Sequence, residues 1–228
     1  MVLQIPEIEV ISGEKHFEAY RNIATCDPTQ ALYDDLVDED EAALLEYIEN
    51  RSSGIDHRQP HHTRFEQYGR IEDSLLCFDE KFWRWGRYSD GTFGVWYGAL
   101  EEETSIQETL YHRPEIDRND FLNTKDPIIQ ARRMFKADLT AMRHANLLPL
   151  QSRHPMMLHP TDYSFCQTLG RTLKQKALDM FLVPSVRKVG GTCIPVLNAN
   201  IIHDRPVRTY FFIFPLDGSQ PIVTQRQF

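Results

Sequence analysis

The 228-residue chain has no paired-cysteine motif, no excess of positive charge and no long hydrophobic run. Each absence removes a class of function. Cys26, Cys77, Cys166 and Cys193 stand far apart with no CxxC, so reduced thiols are expected in place of a disulfide frame or a cysteine zinc site. A net charge of -8 and a pI near 5.6 argue against a surface that neutralises many phosphates, and no direct nucleic-acid binding is expected. The opening MVLQIPEIEVISGEKHF lacks a basic flank followed by a long apolar stretch. No window approaches a membrane span either, so the chain is expected to be cytoplasmic and free of the membrane. G-x-S-x-G is absent, which leaves serine-hydrolase chemistry little support. His57, His61, His62, His154 and His159 cluster in turn-rich stretches without matching acids or cysteines, and no metal site is expected.

What is present suffices for one sizeable core, with 41% hydrophobic residues. Residues 14–51 carry helical spacing through Phe17, Tyr20 and Ile23 and then Leu32, Leu36, Leu44, Leu45 and Ile48. Asp27-Pro28 separates two helices, because proline suits a first helical turn. The second contains the acidic run Asp34 to Glu49, either a solvated helix face or a partner surface. The turn-rich RSSGIDHRQP then marks a boundary. It gives an N-terminal helical extension over residues 1–60 and a main domain over residues 61–228. Strands are expected at 62–68, bearing Arg64, and at 93–100, 131–139, 180–183, 192–197 and 207–215. A helix is expected to start at Thr104, and an amphipathic one to run over 164–177 with Phe165, Leu169, Leu173 and Ala177 on one face. Strands mixed with helices without regular alternation point to an α+β fold.

Two segments concentrate chemistry. In GRYSDGTFGVWYGALEEETSIQE, Arg87, Tyr97 and Glu108 fall on one strand-then-helix unit, which brings a cation, an aromatic hydroxyl and a carboxylate to one sheet edge. In FLVPSVRKVGGT, Ser185 follows a buried strand and precedes Arg187, Lys188 and Gly190-Gly191. Such a turn offers a hydroxyl, backbone N–H groups and positive charge to a phosphate. Each residue also has a plainer role: Glu108 as a solvated helix acid, Arg87 in an ion pair with Asp90, Tyr97 as a core aromatic and Ser185 in a polar turn. Trp83, Trp85 and Phe93 are expected to pack.

Together these two blocks resemble the RES-domain family, named for an arginine, a glutamate and a serine, over about Arg64 to Asn200. The resemblance implies an ADP-ribosyltransferase-like mixed β-sheet core with flanking helices. It implies an enzyme that takes NAD as substrate, needs no cofactor and cleaves the nicotinamide–ribose bond. Phosphate or water is the acceptor; protein ADP-ribosylation and a catalytically inactive NAD-binding module are the alternatives. It places the family arginine at Arg87, the tyrosine at Tyr97, the glutamate at Glu108 and the serine at Ser185. The first-strand arginine falls at Arg64, with Arg70 as the fallback. Arg64 and Arg87 then hold phosphates, Tyr97 meets the nicotinamide ring or ribose, Glu108 stabilises charge on the sugar, and Ser185 hydrogen-bonds ligand or Glu108. The resemblance further implies an Xre-like antitoxin partner. It leaves open whether the extension shields the site, builds a homo-oligomer or meets that partner. The long interval from His112 to Pro160 reads as an insertion whose loop governs the acceptor.

Overall fold

The computed structural model describes residues 5–24, 75–112, 128–214 and 220–225. Its strands are β1 (Ile11–Ala24), β2 (Trp96–Ala99), β3 (Ile128–Asn146), β4 (Met180–Pro184), β5 (Thr192–Val196), β6 (Ile202–Phe214) and β7 (Ile222–Gln225). Among the described residues two α-helices of eight residues or more accompany them, α1 (Glu102–His112) and α2 (Ser164–Gln175). The sheet order is β1-β2-β5-β4-β3-β6-β7, with β1 also paired to β3. Pairing therefore runs from β1 through β2, β5, β4 and β3 back to β1, closing a ring from which β6 and β7 extend. Among the described strands only β3 and β4 pair in parallel, and the other pairs are antiparallel. A strand-rich mixed sheet with helices is thus observed.

Alternating side chains divide the interior into two faces, as the two-residue period of a strand requires. From β4, Met180 and Leu182 join Ala19, Trp96, Ala137, Leu139, Ile194 and Val196. Phe181 and Val183 point the other way, towards Tyr88, Phe93 and the α2 residues Phe165, Leu169 and Leu173. Helix α2 ends where Ala177 adopts a left-handed φ of 53°. Ala177 is exposed, so it terminates the amphipathic face and does not extend it. Helix α1 lies over β3 and β6, with Ile106 and Leu110 against Met134, Tyr210 and Phe212.

Several expectations change. Residues 14–24 are not helical: β1 pairs with β3 from Ile11↔His144 to Ala24↔Arg132. Twelve partner positions outweigh the three-residue spacing of Phe17, Tyr20 and Ile23, and alternation puts Phe17 and Ala19 on one face and Tyr20 on the other. The expected second helix, the boundary at residue 60 and the strand at 62–68 lie outside the described residues. Much of the expected insertion is β3, a long strand between β1 and β6, so it builds the sheet. Helix α1 starts at Glu102, before Thr104, so Thr104 lies inside its first turn, where its Oγ1 donates to Glu101 Oε2 at 2.7 Å.

Candidate active site

Glu108 reaches the site because α1 follows β2 directly. Glu101 anchors the helix start, its Oε2 also accepting from the Thr192 amide on β5 at 3.1 Å. Ser105, Glu108 and Thr109, spaced three and four apart, then share one helix face and line one pocket.

The turn after β4 closes on that face. Ser185 Oγ donates to Glu108 Oε1 at 2.6 Å and accepts from the amides of Lys188 at 3.0 Å and Arg187 at 3.2 Å. The Ser185 amide donates to the Gly191 carbonyl at 2.8 Å. Lys188 also pairs with Glu103. A side chain at Gly191 would stand 2.5 Å from Thr104 Oγ1, so glycine is what permits the close approach of turn and helix. Cys193 Sγ lies 3.6 Å from Glu108 Oε1. Burial, with the Glu108 charge added, pushes the Cys193 thiol well above its usual pKa, so the thiol stays protonated and donates to the carboxylate.

The pocket has a volume of about 580 Å³, within the ordinary range for small-molecule sites. Its charged lining residues are Arg21, Arg87, Arg132 and Glu108. Arg87 Nη1 donates to the His159 and Met157 carbonyls at 2.8 and 3.4 Å, and Nη2 to the Pro160 carbonyl at 3.5 Å. Its guanidinium also covers the Tyr163 ring, 4.4 Å from the centroid. Asp90 pairs with Arg171 of α2, so the plainer role of Arg87, an ion pair with Asp90, is not the arrangement formed. Tyr97 presents its ring to the pocket, 38% exposed, while its hydroxyl accepts from the Tyr88 amide at 3.0 Å. Burial raises the pKa of that hydroxyl well above the usual value, which leaves it a neutral anchor.

Arg87, Tyr97 and Glu108 thus line one pocket, and Ser185 bonds Glu108 at its wall. Arg64 and Arg70 lie outside the described residues. Sequence reasoning missed Arg21, Asn22 and Arg132. Arg21, on β1, covers the Trp96 ring at 5.3 Å. Asn22 is buried and joins three elements: its Nδ2 donates to Ser105 O at 2.9 Å, and its Oδ1 accepts from Thr109 Oγ1 at 2.9 Å and from Arg132 Nε. Arg132 Nη2 donates to Asn22 O at 3.2 Å. Strand alternation through β1 and β3 places Asn22 and Arg132 beneath α1, a pattern that the charge of β1 hides in the sequence. Trp85 was expected to pack, yet it is 75% exposed, because the turn that carries it turns its indole away from the core.

Among the described residues no helix is long and apolar enough to cross a membrane. Among curated proteins, none matches the chain. A solved structure described as the M. tuberculosis MbcT-MbcA toxin-antitoxin complex is similar, at 15% identity over 87% of this chain and 85% of that one, with a TM-score of 0.46. The family model for the RES domain matches residues 55–214, a span that includes Arg87, Tyr97, Glu108 and Ser185, and the chain therefore belongs to the RES-domain family.

Proposed function

We propose that the protein cleaves the nicotinamide–ribose bond of NAD and passes the ADP-ribosyl group to phosphate or water. The observation that carries this reading is that Glu108, oriented by Ser185, is the single carboxylate among the described lining residues of a pocket whose other described charged lining residues are arginines. Nicotinamide departs with the electron pair of the glycosidic bond and becomes neutral, so the step needs no second carboxyl acting as acid, in contrast to ordinary glycoside hydrolysis. Positive charge then develops on the ribose. Glu108 faces that charge, and an oriented group in a partly desolvated cleft contributes about 3–4 kcal/mol at such a position. The acceptor oxygen attacks the anomeric carbon and releases its proton to solvent. Arg21, Arg87 and Arg132 supply the planar donor forks that suit pyrophosphate oxygens, and the Tyr97 ring supplies an apolar face for nicotinamide or ribose.

Ser185 is a positioning residue in this scheme. Its oxygen already accepts from two amides while its hydroxyl donates to Glu108, an arrangement that fixes the carboxylate and leaves neither oxygen lone pair free to attack a substrate. The family resemblance extends the proposal to a cytoplasmic toxin restrained by an Xre-like antitoxin.

The test follows free nicotinamide after NAD is added to purified protein, with and without phosphate. Glu108→Ala should lower the rate about 100- to 1000-fold. Equal NAD loss in that variant overturns the assignment, and adenine label recovered on protein moves it to ADP-ribosylation.

A further inference from the structure

An indole left 75% in water at the edge of a pocket it helps to line calls for an account, because tryptophan is ordinarily among the more buried side chains. The exposure does not come from a loose backbone. Trp85 bridges Asp90, the Gly86 amide donates to the Ser89 carbonyl at 2.9 Å, and Gln167 Nε2 donates to the Gly86 carbonyl at 3.0 Å. Under the indole lies Gly91, at φ 86°, where an added Cβ would stand 3.3 Å from Trp85 Cδ1. The ring is therefore carried on a braced turn. Arg87 follows two positions later, and Tyr163, against which Arg87 lies, lines the same pocket.

We infer that Trp85, together with Tyr163, forms a stacking subsite for the purine ring of the dinucleotide. This rests on the reading of the pocket as an NAD site. An exposed aromatic face on a braced turn, in one pocket with a guanidinium, matches a flat ring that is tethered through a ribose to a phosphate. Glu108 holds the reacting ribose at the walled end, the arginines take the pyrophosphate, and the second base meets the exposed aromatic edge. Tryptophan suits this position because its large face gains from stacking while needing no fixed hydrogen-bond pattern.

Nicotinamide-release kinetics of wild type, Trp85→Ala and Trp85→Phe test the subsite. Trp85→Ala should raise the KM for NAD about tenfold with kcat nearly unchanged, and Trp85→Phe should recover most of the loss. Inhibition by AMP should weaken by a similar factor in Trp85→Ala, while inhibition by inorganic pyrophosphate should hold. An unchanged KM, an equal loss of AMP and pyrophosphate inhibition, or an effect confined to binding of a protein partner overturns the inference. Should the wild type release no nicotinamide, the NAD reading fails, and fluorescence still decides the subsite. Quenching by AMP that persists in Trp83→Phe and vanishes in Trp85→Phe supports it, and absence of quenching in the wild type overturns it.

Discussion

Ser185 Oγ donates to Glu108 Oε1 at 2.6 Å while accepting two backbone amides. The hydroxyl therefore transmits the rigidity of the 185–191 turn to the carboxylate. Ser185→Ala should lower kcat by about 10- to 100-fold with a smaller effect on KM, because the carboxylate remains but samples more orientations. The variant also strands two amides, costing about 1–3 kcal/mol of stability. Nicotinamide-release kinetics with a thermal melt separate the two effects. A KM rise with kcat intact would instead make Ser185 a ligand contact.

Asn22 holds Arg132 and α1 together through one side chain. Asn22→Ala removes bonds to Ser105, Thr109 and Arg132 and should cost about 3 kcal/mol, since one partner is a charged group in a buried setting. Asn22→Asp keeps an acceptor for Arg132 and Thr109 but adds negative charge next to the proposed phosphate path. It should raise the KM for NAD about tenfold, more steeply at low than at high ionic strength. Calorimetric binding of ADP-ribose at two salt concentrations reads this directly, and an unchanged affinity excludes Arg132 from phosphate binding.

The parts of this site that were legible in the sequence are those whose neighbours in space are also neighbours along the chain. Glu108 stands in the second turn of a helix that follows its strand at once, and Ser185 sits in a turn announced by Gly190 and Gly191. Arg21 and Asn22 had no such local signal. The segment EKHFEAYRN is so rich in charge that its alternation is masked, and what makes it a strand is pairing with β3, more than a hundred residues later. Pairing of that kind is set by tertiary contacts, which override local propensity. Arg132 fell within an expected strand, but which way it points is fixed by register against β1 and β6, including a shift between Met134 and Phe135. The outward turn of Trp85 likewise depends on Asp90 and Gln167, contacts invisible to composition.

Alkaline pH should weaken the fold. Burial is the largest cause raising the thiols of Cys77, Cys166 and Cys193 and the hydroxyls of Tyr88 and Tyr97 above their usual values. A group raised in the folded state keeps its proton there while the unfolded chain loses it. Stability is therefore full below the unfolded values, about 8.5 for a thiol and about 10 for a phenol, and falls as pH climbs from them towards the folded values. Melting temperatures measured under reducing conditions from pH 7 to 11 should decline above about pH 8.5, and Cys193→Ala should flatten the early part of the decline. A flat profile to pH 10 would contradict this account of the buried thiols.

Gly170 offers a test of how the Arg87 turn is held. On α2 it faces the backbone of Tyr88: an added Cβ would stand 2.0 Å from the Tyr88 carbonyl oxygen and 2.9 Å from its carbon. Replacing an interior helical glycine by alanine ordinarily gains about 1 kcal/mol of helix propensity. Here that gain meets main-chain atoms that cannot rotate aside, and overpacking of this kind costs about 1–3 kcal/mol. The helix cannot simply retreat, because Gln167 bonds the Gly86 carbonyl and Arg171 pairs with Asp90 on the same turn. The clash should win, so Gly170→Ala is expected to lower the melting temperature. It should also raise the KM for NAD, because Trp85 and Arg87 ride on the displaced turn. A melting temperature that rises would mean that the turn yields freely, and Arg87 would then be set by the 157–160 carbonyls alone.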